Sequence, residues 1–188
     1  MIDHASSNPH SASTSRRQMI LGTAITVGAL ALHPLEVLAA TDDEITRTSA
    51  AIHNRRTFKA SPKRVYEALT NADQFHKVTM MSEAMKGGMP PGAKPTVISP
   101  DEGGSFTLFG GVITGRHIEL VSNARLVQAW RVAHWKPGEF SLITFDLAPE
   151  GTGTALMFEH TGFPDTDADH LNAGWQSNYW EPLTKFFA

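Results

Sequence analysis

From Thr96 onward the chain breaks into six short extended runs, each closed by a turn signal. That succession constrains the fold more than any other feature of the 188 residues. The runs are Thr96-Val97-Ile98, then 105–109, 112–121, 125–135, 139–147 and 154–161. Between them stand Asp101-Glu102-Gly103-Gly104, Gly110-Gly111, Ser122-Asn123, Lys136-Pro137-Gly138 and Pro149-Glu150-Gly151. Gly, Asn and Pro supply the backbone conformations that tight turns need, so consecutive strands double back as an antiparallel meander. Side chains alternate between the two faces of a strand. Alternation therefore puts Ser141, Ile143, Phe145 and Leu147 on one face of their run, and Leu156, Phe158 and His160 on one face of theirs.

Ahead of the meander, residues 50–59 are extended in character, with Ile52, Asn54, Arg56 and Phe58 on one parity. Ser61-Pro62 marks a helix start, because serine accepts from an orphan amide and proline suits the first helical position. Val65, Ala68, Leu69, Ala72 and Phe75 recur at three- and four-residue spacing, which predicts an amphipathic helix over 62–76. Residues 79–95 hold four methionines, three glycines and three prolines and read as a short helical turn followed by an irregular loop. A last helix is expected over about 167–187, with Leu171, Trp175, Tyr179, Leu183 and Phe186 as its apolar stripe and a bend at Pro182. The order strand, helix, short helix, six strands, long helix gives an α+β domain. Its helices lie against one side of a curved antiparallel sheet of about seven strands.

The N-terminal segment is of another kind. A polar lead ends in Ser15-Arg16-Arg17-Gln18-Met19-Ile20, and an apolar stretch of 14 residues, Met19 to Leu32, follows directly. That length suits the hydrophobic region of a signal peptide and falls short of the roughly 20 helical residues that span a bilayer. His33-Pro34 ends it, and Val37-Leu38-Ala39-Ala40 offers small residues to a signal peptidase. The segment resembles the twin-arginine (Tat) signal, an address read by the Tat translocase during export. The resemblance implies that residues 1–40 are removed, that 41–49 are a short lead-in, and that 50–188 form one periplasmic or secreted domain with no stable membrane insertion. The chain contains no cysteine, so neither a disulfide framework nor a lipid-modified cysteine is available. A formal charge of −3 and a pI near 6.3 point away from nucleic acid as a partner.

Within the domain, several segments taken in order resemble one family. They are Ala60-Ser61-Pro62 with Val65-Tyr66-Glu67-Ala68-Leu69-Thr70, Gly103-Gly104-Ser105-Phe106, and Leu126-Val127-Gln128-Ala129-Trp130-Arg131. His160-Thr161-Gly162-Phe163-Pro164 follows, and then Gly174-Trp175 with Tyr179-Trp180-Glu181-Pro182-Leu183. Over residues 50–188 the chain resembles the heat-shock protein 90 ATPase activator (Aha-type) homologues of the START-like, or SRPBCC, superfamily. The resemblance implies a helix-grip fold, with the sheet curved around a long C-terminal helix and a cavity between them. Fold alone does not give function. Relatives of this fold include co-chaperones, lipid carriers, hormone receptors and polyketide cyclases. Three readings follow: a module holding a small apolar or amphipathic molecule, a cyclase- or hydratase-like enzyme using the same cavity, or a co-chaperone-like protein-binding module.

The candidate cavity residues are Trp130, Phe145, Phe158, His160, Trp175 and Tyr179. Trp175 and Tyr179, one helical turn apart, either line a cavity or fill the core. His160 either orients a ligand or moves a proton, or is a buried neutral imidazole bonded at the Thr161-Gly162 turn. Arg131 faces away from Trp130 and pairs either with a ligand carboxylate or with Glu119 or Glu159. Met80, Met81, Met85 and Met89 are either thioether ligands for a soft metal or adaptable filler in a lid. The six histidines beyond residue 40 show no metal-binding spacing, and no nucleotide or dinucleotide fingerprint is present, so no metal and no cofactor are expected.

Overall fold

The computed structural model describes residues 45–48, 51–89 and 91–188. Arg16, Arg17, the apolar stretch after them and the cleavage segment lie outside the described residues. The strands are Ile45–Thr48 (β1), Ala51–Phe58 (β2), Val97–Ile98 (β3), Ser105–Leu108 (β4), Ile113–Val121 (β5), Arg125–Val132 (β6), Ser141–Glu150 (β7) and Gly153–Thr161 (β8). They form one antiparallel sheet in the order β1-β2-β8-β7-β6-β5-β4-β3. All seven expected strands are present. The eighth, β1, lies in the stretch read as a lead-in and pairs with β2 at the edge of the sheet. A register shift between His117 and Glu119 in β5 places a bulge against β6, a device that bends and twists a strand.

Two helices, Pro62–Thr70 (α1) and Ala72–Thr79 (α2), replace the single helix expected over 62–76. The break is at Asn71, which is extended (φ −95°, ψ 124°) and accepts from the Gln74 amide at 3.0 Å through its side chain. Asn71 thus ends one helix and caps the next. Ala72 and Phe75 kept the same apolar spacing across the break, which hid it from a reading of periodicity. The C-terminal helix runs Ala168–Trp175 (α3), a π turn Gln176–Trp180, and Glu181–Phe186 (α4). Pro182 cannot continue an α-helical ladder, having no N–H and a ring that crowds the preceding turn. The wider π turn stands just ahead of it. In an α-helix residues five apart diverge, but across this turn the Trp175 and Trp180 rings stack at 5.6 Å, and both are buried.

The core lies between the concave face of the sheet and this helix. The alternation read from the sequence holds in detail: Ile52, Asn54, Arg56 and Phe58 are buried, as are Ser141, Ile143, Phe145, Leu147, Leu156, Phe158 and His160. The buried Arg56 guanidinium donates to Gln176 Oε1 at 2.6 Å and lies over the Trp180 ring, so the π turn also receives a strand cation. This is the helix-grip arrangement.

Candidate functional site

A cavity of about 320 Å³ opens between the sheet and the C-terminal helix. Strands β5 and β6 supply its floor through Ile113, Trp130 and Val132, and the helix supplies one wall through Leu171, Gly174, Trp175, Asn178 and Tyr179. The short 3₁₀ turn Glu83–Met85 and the loop after it contribute Ala84, Met85 and Met89, and the turn Phe109–Gly111 with Val112 completes the rim. No carboxylate, lysine or arginine lines it among the described residues. Among the described residues, His170 is the one imidazole in the wall. The cavity meets the usual description of a small-molecule site: concave, mostly apolar, with a few polar groups.

Each boundary has a local cause. Trp130 faces inward because β6 alternates, with Leu126, Gln128, Trp130 and Val132 buried in turn. Gly115 pairs directly with Trp130 across β5 and β6 and leaves room there for the Phe106 ring. Gly174 sits inside α3, where a β-carbon would meet nothing nearer than Asn178 Nδ2 at 3.9 Å. Its missing side chain therefore leaves room for a β-carbon in the cavity wall. The methionine loop is held in place at two points. Asn178 Oδ1 accepts from the Ala84 amide at 2.9 Å, and the Lys94 amide donates to the Gly110 carbonyl at 2.9 Å. Phe109 adopts φ +49°, followed by Gly110 at +72° and Gly111 at +99°. A left-handed conformation at a bulky side chain costs on the order of 1–3 kcal/mol. Contacts of the Phe109 ring with Phe75 (5.9 Å) and Tyr179 (5.6 Å) offset it and set the ring in the cavity wall.

Of the six candidates, Trp130, Trp175 and Tyr179 line the cavity, while Phe145, Phe158 and His160 do not. The division has a simple cause. The Trp175 indole stands between them and the open space, with Phe158 at 4.4 Å and Phe145 at 6.1 Å from its ring. Phe145 instead borders a separate void of about 10 Å³, shared with Gln128 and Tyr179, which is no larger than one water. Strand parity reports which way a side chain faces but not what lies in front of it.

His160 is fully buried, and its two nitrogens are both engaged. Trp175 Nε1–H donates to Nδ1 at 3.0 Å, which fixes the proton on Nε2, and that N–H donates to Ser141 Oγ at 2.8 Å. The Ser141 hydroxyl in turn donates to the Trp130 carbonyl at 3.3 Å. Burial lowers the His160 pKa to about 3. The imidazole therefore orients the two cavity tryptophans, which stack at 5.2 Å, rather than the Thr161-Gly162 turn. Burial pushes the Tyr179 hydroxyl far up, so that it stays a neutral donor.

Other expectations resolve differently. Arg131 donates to the carbonyls of Val132 and Trp135, not to Glu119 or Glu159. Glu119 pairs with Arg125 at 2.9 Å, and Glu159 lies 3.9 Å from His53. His134 and Trp135 converge on Asp167, with His134 Nε2 at 2.7 Å. Burial raises the Asp167 pKa. The hydrogen bonds from Trp135 and His134 and the nearby charge of His134 and His170 outweigh that, and the net shift is downward. Buried Met85 and exposed Met89 line the cavity, whereas Met80 and Met81 are exposed and do not line it.

Gly174, Asn178, His170 and Phe109 escaped the reading of the sequence. Leu171, Gly174, Trp175 and Asn178 recur at i, i+3, i+4 and i+7, one helix face. Two of the four are not apolar, so a search for an apolar stripe passes over them.

Comparison with known proteins places this geometry. The sequence model of the family described as "Activator of Hsp90 ATPase homolog 1-like protein" matches residues 59–188. The human protein "Activator of 90 kDa heat shock protein ATPase homolog 1" is 26% identical over 133 residues, 71% of this chain and 36% of that protein. The mouse homolog 2 is 22% identical over 135 residues, 72% of this chain and 37% of its own length. The chain thus spans about a third of the length of the curated relatives it matches. Among solved structures, an HSP90 activator from Plasmodium falciparum superposes with a TM-score of 0.62 at 18% identity, covering 73% of this chain and 95% of that one. The Aha1 dimer from Colwellia psychrerythraea gives 0.56 at 22% identity, covering 73% and 95%. At these identities the likeness speaks for the fold.

Proposed function

This chain belongs to the Activator of Hsp90 ATPase homolog 1-like family, and we propose that it is an exported module binding a small apolar or amphipathic molecule between its sheet and its C-terminal helix. The observation that carries the reading is Gly174. A glycine inside a helix is about 1 kcal/mol less favourable than alanine, and here its absent side chain is what leaves the cavity wall open. The chain holds a locally unfavourable residue where an occupant would sit.

The test separates binding from folding. Native mass spectrometry of the protein purified from its own cells is expected to show an extra mass that leaves on denaturation. Gly174→Ala is expected to raise stability by about 0.5–1 kcal/mol. Gly174→Leu places its side chain in the cavity and is expected to lose the extra mass while still unfolding cooperatively. A Gly174→Leu protein that keeps the same bound mass removes this cavity as the site.

Export rests on Arg16-Arg17 and the apolar stretch behind them. Replacing both arginines with lysine is expected to leave the protein in the cytoplasm, read by cell fractionation. Equal periplasmic recovery of both forms rules the signal out.

A co-chaperone role is the second reading, favoured by the names of the relatives and by the span they share with this chain. It predicts capture of a chaperone by the wild type and by Gly174→Leu alike. The enzyme reading loses its main candidate. His160 is sealed from the cavity by Trp175, both its nitrogens are engaged, and it stays neutral through the physiological range.

A further inference from the structure

The polar atoms in the cavity wall share one property. Asn178 Oδ1 is committed to the Ala84 amide, a donor, so its orientation is set by that bond and Nδ2 is the end left over. Nδ2 is also the atom nearest the empty position beside Gly174, at 3.9 Å. The Trp130 indole N–H is buried and has no acceptor. Tyr179 also lines the wall, and burial keeps its hydroxyl protonated at any ordinary pH. All three groups offer hydrogens. The His170 imidazole and the Tyr179 hydroxyl are able to accept as well, and no carboxylate, lysine or arginine lines the wall among the described residues.

Size and shape narrow the occupant further. An apolar cavity of about 150 Å³ holds a benzene, and this one is about 320 Å³. Its walls include the rings of Phe109, Trp130, Trp175 and Tyr179, with the Met85 and Met89 thioethers across from the helix. Flat rings stack on such faces, and sulfur packs favourably at ring edges. A formal charge on the occupant would meet no carboxylate, lysine or arginine among the described lining residues, and burying one unpaired is heavily disfavoured.

We infer that the cavity takes a neutral, flat molecule of about two fused rings bearing a carbonyl-type oxygen, which accepts from Asn178 Nδ2 and the Tyr179 hydroxyl. This rests on the cavity reading above and specifies its ligand class. Apolar contact holds the rings, and the donors fix which end enters first.

The experiment uses the full-length protein and two probes of matched shape, 2-acetylnaphthalene and 2-ethylnaphthalene, which differ by one carbonyl oxygen. Affinities are read by calorimetry on the wild type, Asn178→Asp and Tyr179→Phe. Asn178→Asp keeps an oxygen for the Ala84 amide and replaces the donor end with an acceptor, while Tyr179→Phe keeps the ring and removes the hydroxyl. Each variant is expected to weaken the ketone by roughly fivefold to tenfold, the scale of one lost hydrogen bond. The hydrocarbon is expected to change less than about twofold, since apolar contact is unaltered. If ketone and hydrocarbon weaken equally, or the ketone does not weaken, the inference is overturned while the cavity reading stands. If the wild type binds neither probe, both are overturned.

Discussion

Acidification from pH 7 to pH 4.5 is expected to destabilise the protein, starting above the range in which its carboxylates titrate. His160 is neutral in the folded state, with a pKa of about 3, against 6.5 when free in the unfolded chain. A depressed folded-state pKa means that the unfolded chain binds the extra proton first. Stability from this group is therefore complete above pH 6.5 and is lost as the pH falls through the window toward 3. The slope is about 1.4 kcal/mol per pH unit for one such group, so at pH 4.5 the loss is about 3 kcal/mol, a large part of a typical 5–15 kcal/mol. Burial shifts His117 in the same direction, adding to the slope. Denaturant midpoints measured between pH 7 and 4.5 check this. His160→Gln should lower stability at neutral pH and flatten the curve. A wild-type midpoint constant across that range would mean that the imidazole is not buried neutral.

Gly115→Ala is expected to be among the most damaging single-methyl additions in the sheet. Its β-carbon would lie 2.1 Å from the Ala129 carbonyl oxygen and 2.2 Å from the Phe106 ring. The first contact is with backbone of the neighbouring strand and cannot rotate away. Relief requires the β5–β6 pairing to open at the point where Gly115 faces Trp130. Overpacking of this kind costs on the order of 3 kcal/mol, and it displaces the cavity floor as well. Gly87→Ala is the control, because nothing lies within 4 Å of its new carbon and its backbone is ordinary. Urea unfolding of the two variants should differ by nearly the whole of that amount. Equal midpoints would show that β5 is not held as closely as described.

The two strand faces read from alternation were legible because the inward positions of β7 and β8 must leave water together, whatever occupies the helix side. Even Asn54 and Arg56, polar residues on an inward parity, are buried where the period puts them. Three things were not legible, each for a physical reason. The break at Asn71 depends on a local side-chain bond that leaves the apolar spacing untouched. Strand β1 is held by β2, and its pairing is not written in its own short polar sequence. The division of the six aromatic and imidazole candidates into cavity wall and core is decided by depth. Trp175 fills the space in front of Phe158 and His160, and no one-dimensional period encodes the size of the group standing in front.

The stacked indoles have a consequence for how this protein can be observed. Trp130, Trp175 and Trp180 form a column with successive separations of 5.2 Å and 5.6 Å, each pair tilted by 23°. Chromophores this close and this nearly parallel share excitation, so the near-ultraviolet circular dichroism of the domain is a property of the column rather than of single rings. Two of its members face the cavity, and the third lies behind them. Whatever enters touches one end of an optically coupled unit, and the molecule carries an unlabelled reporter of its own occupancy.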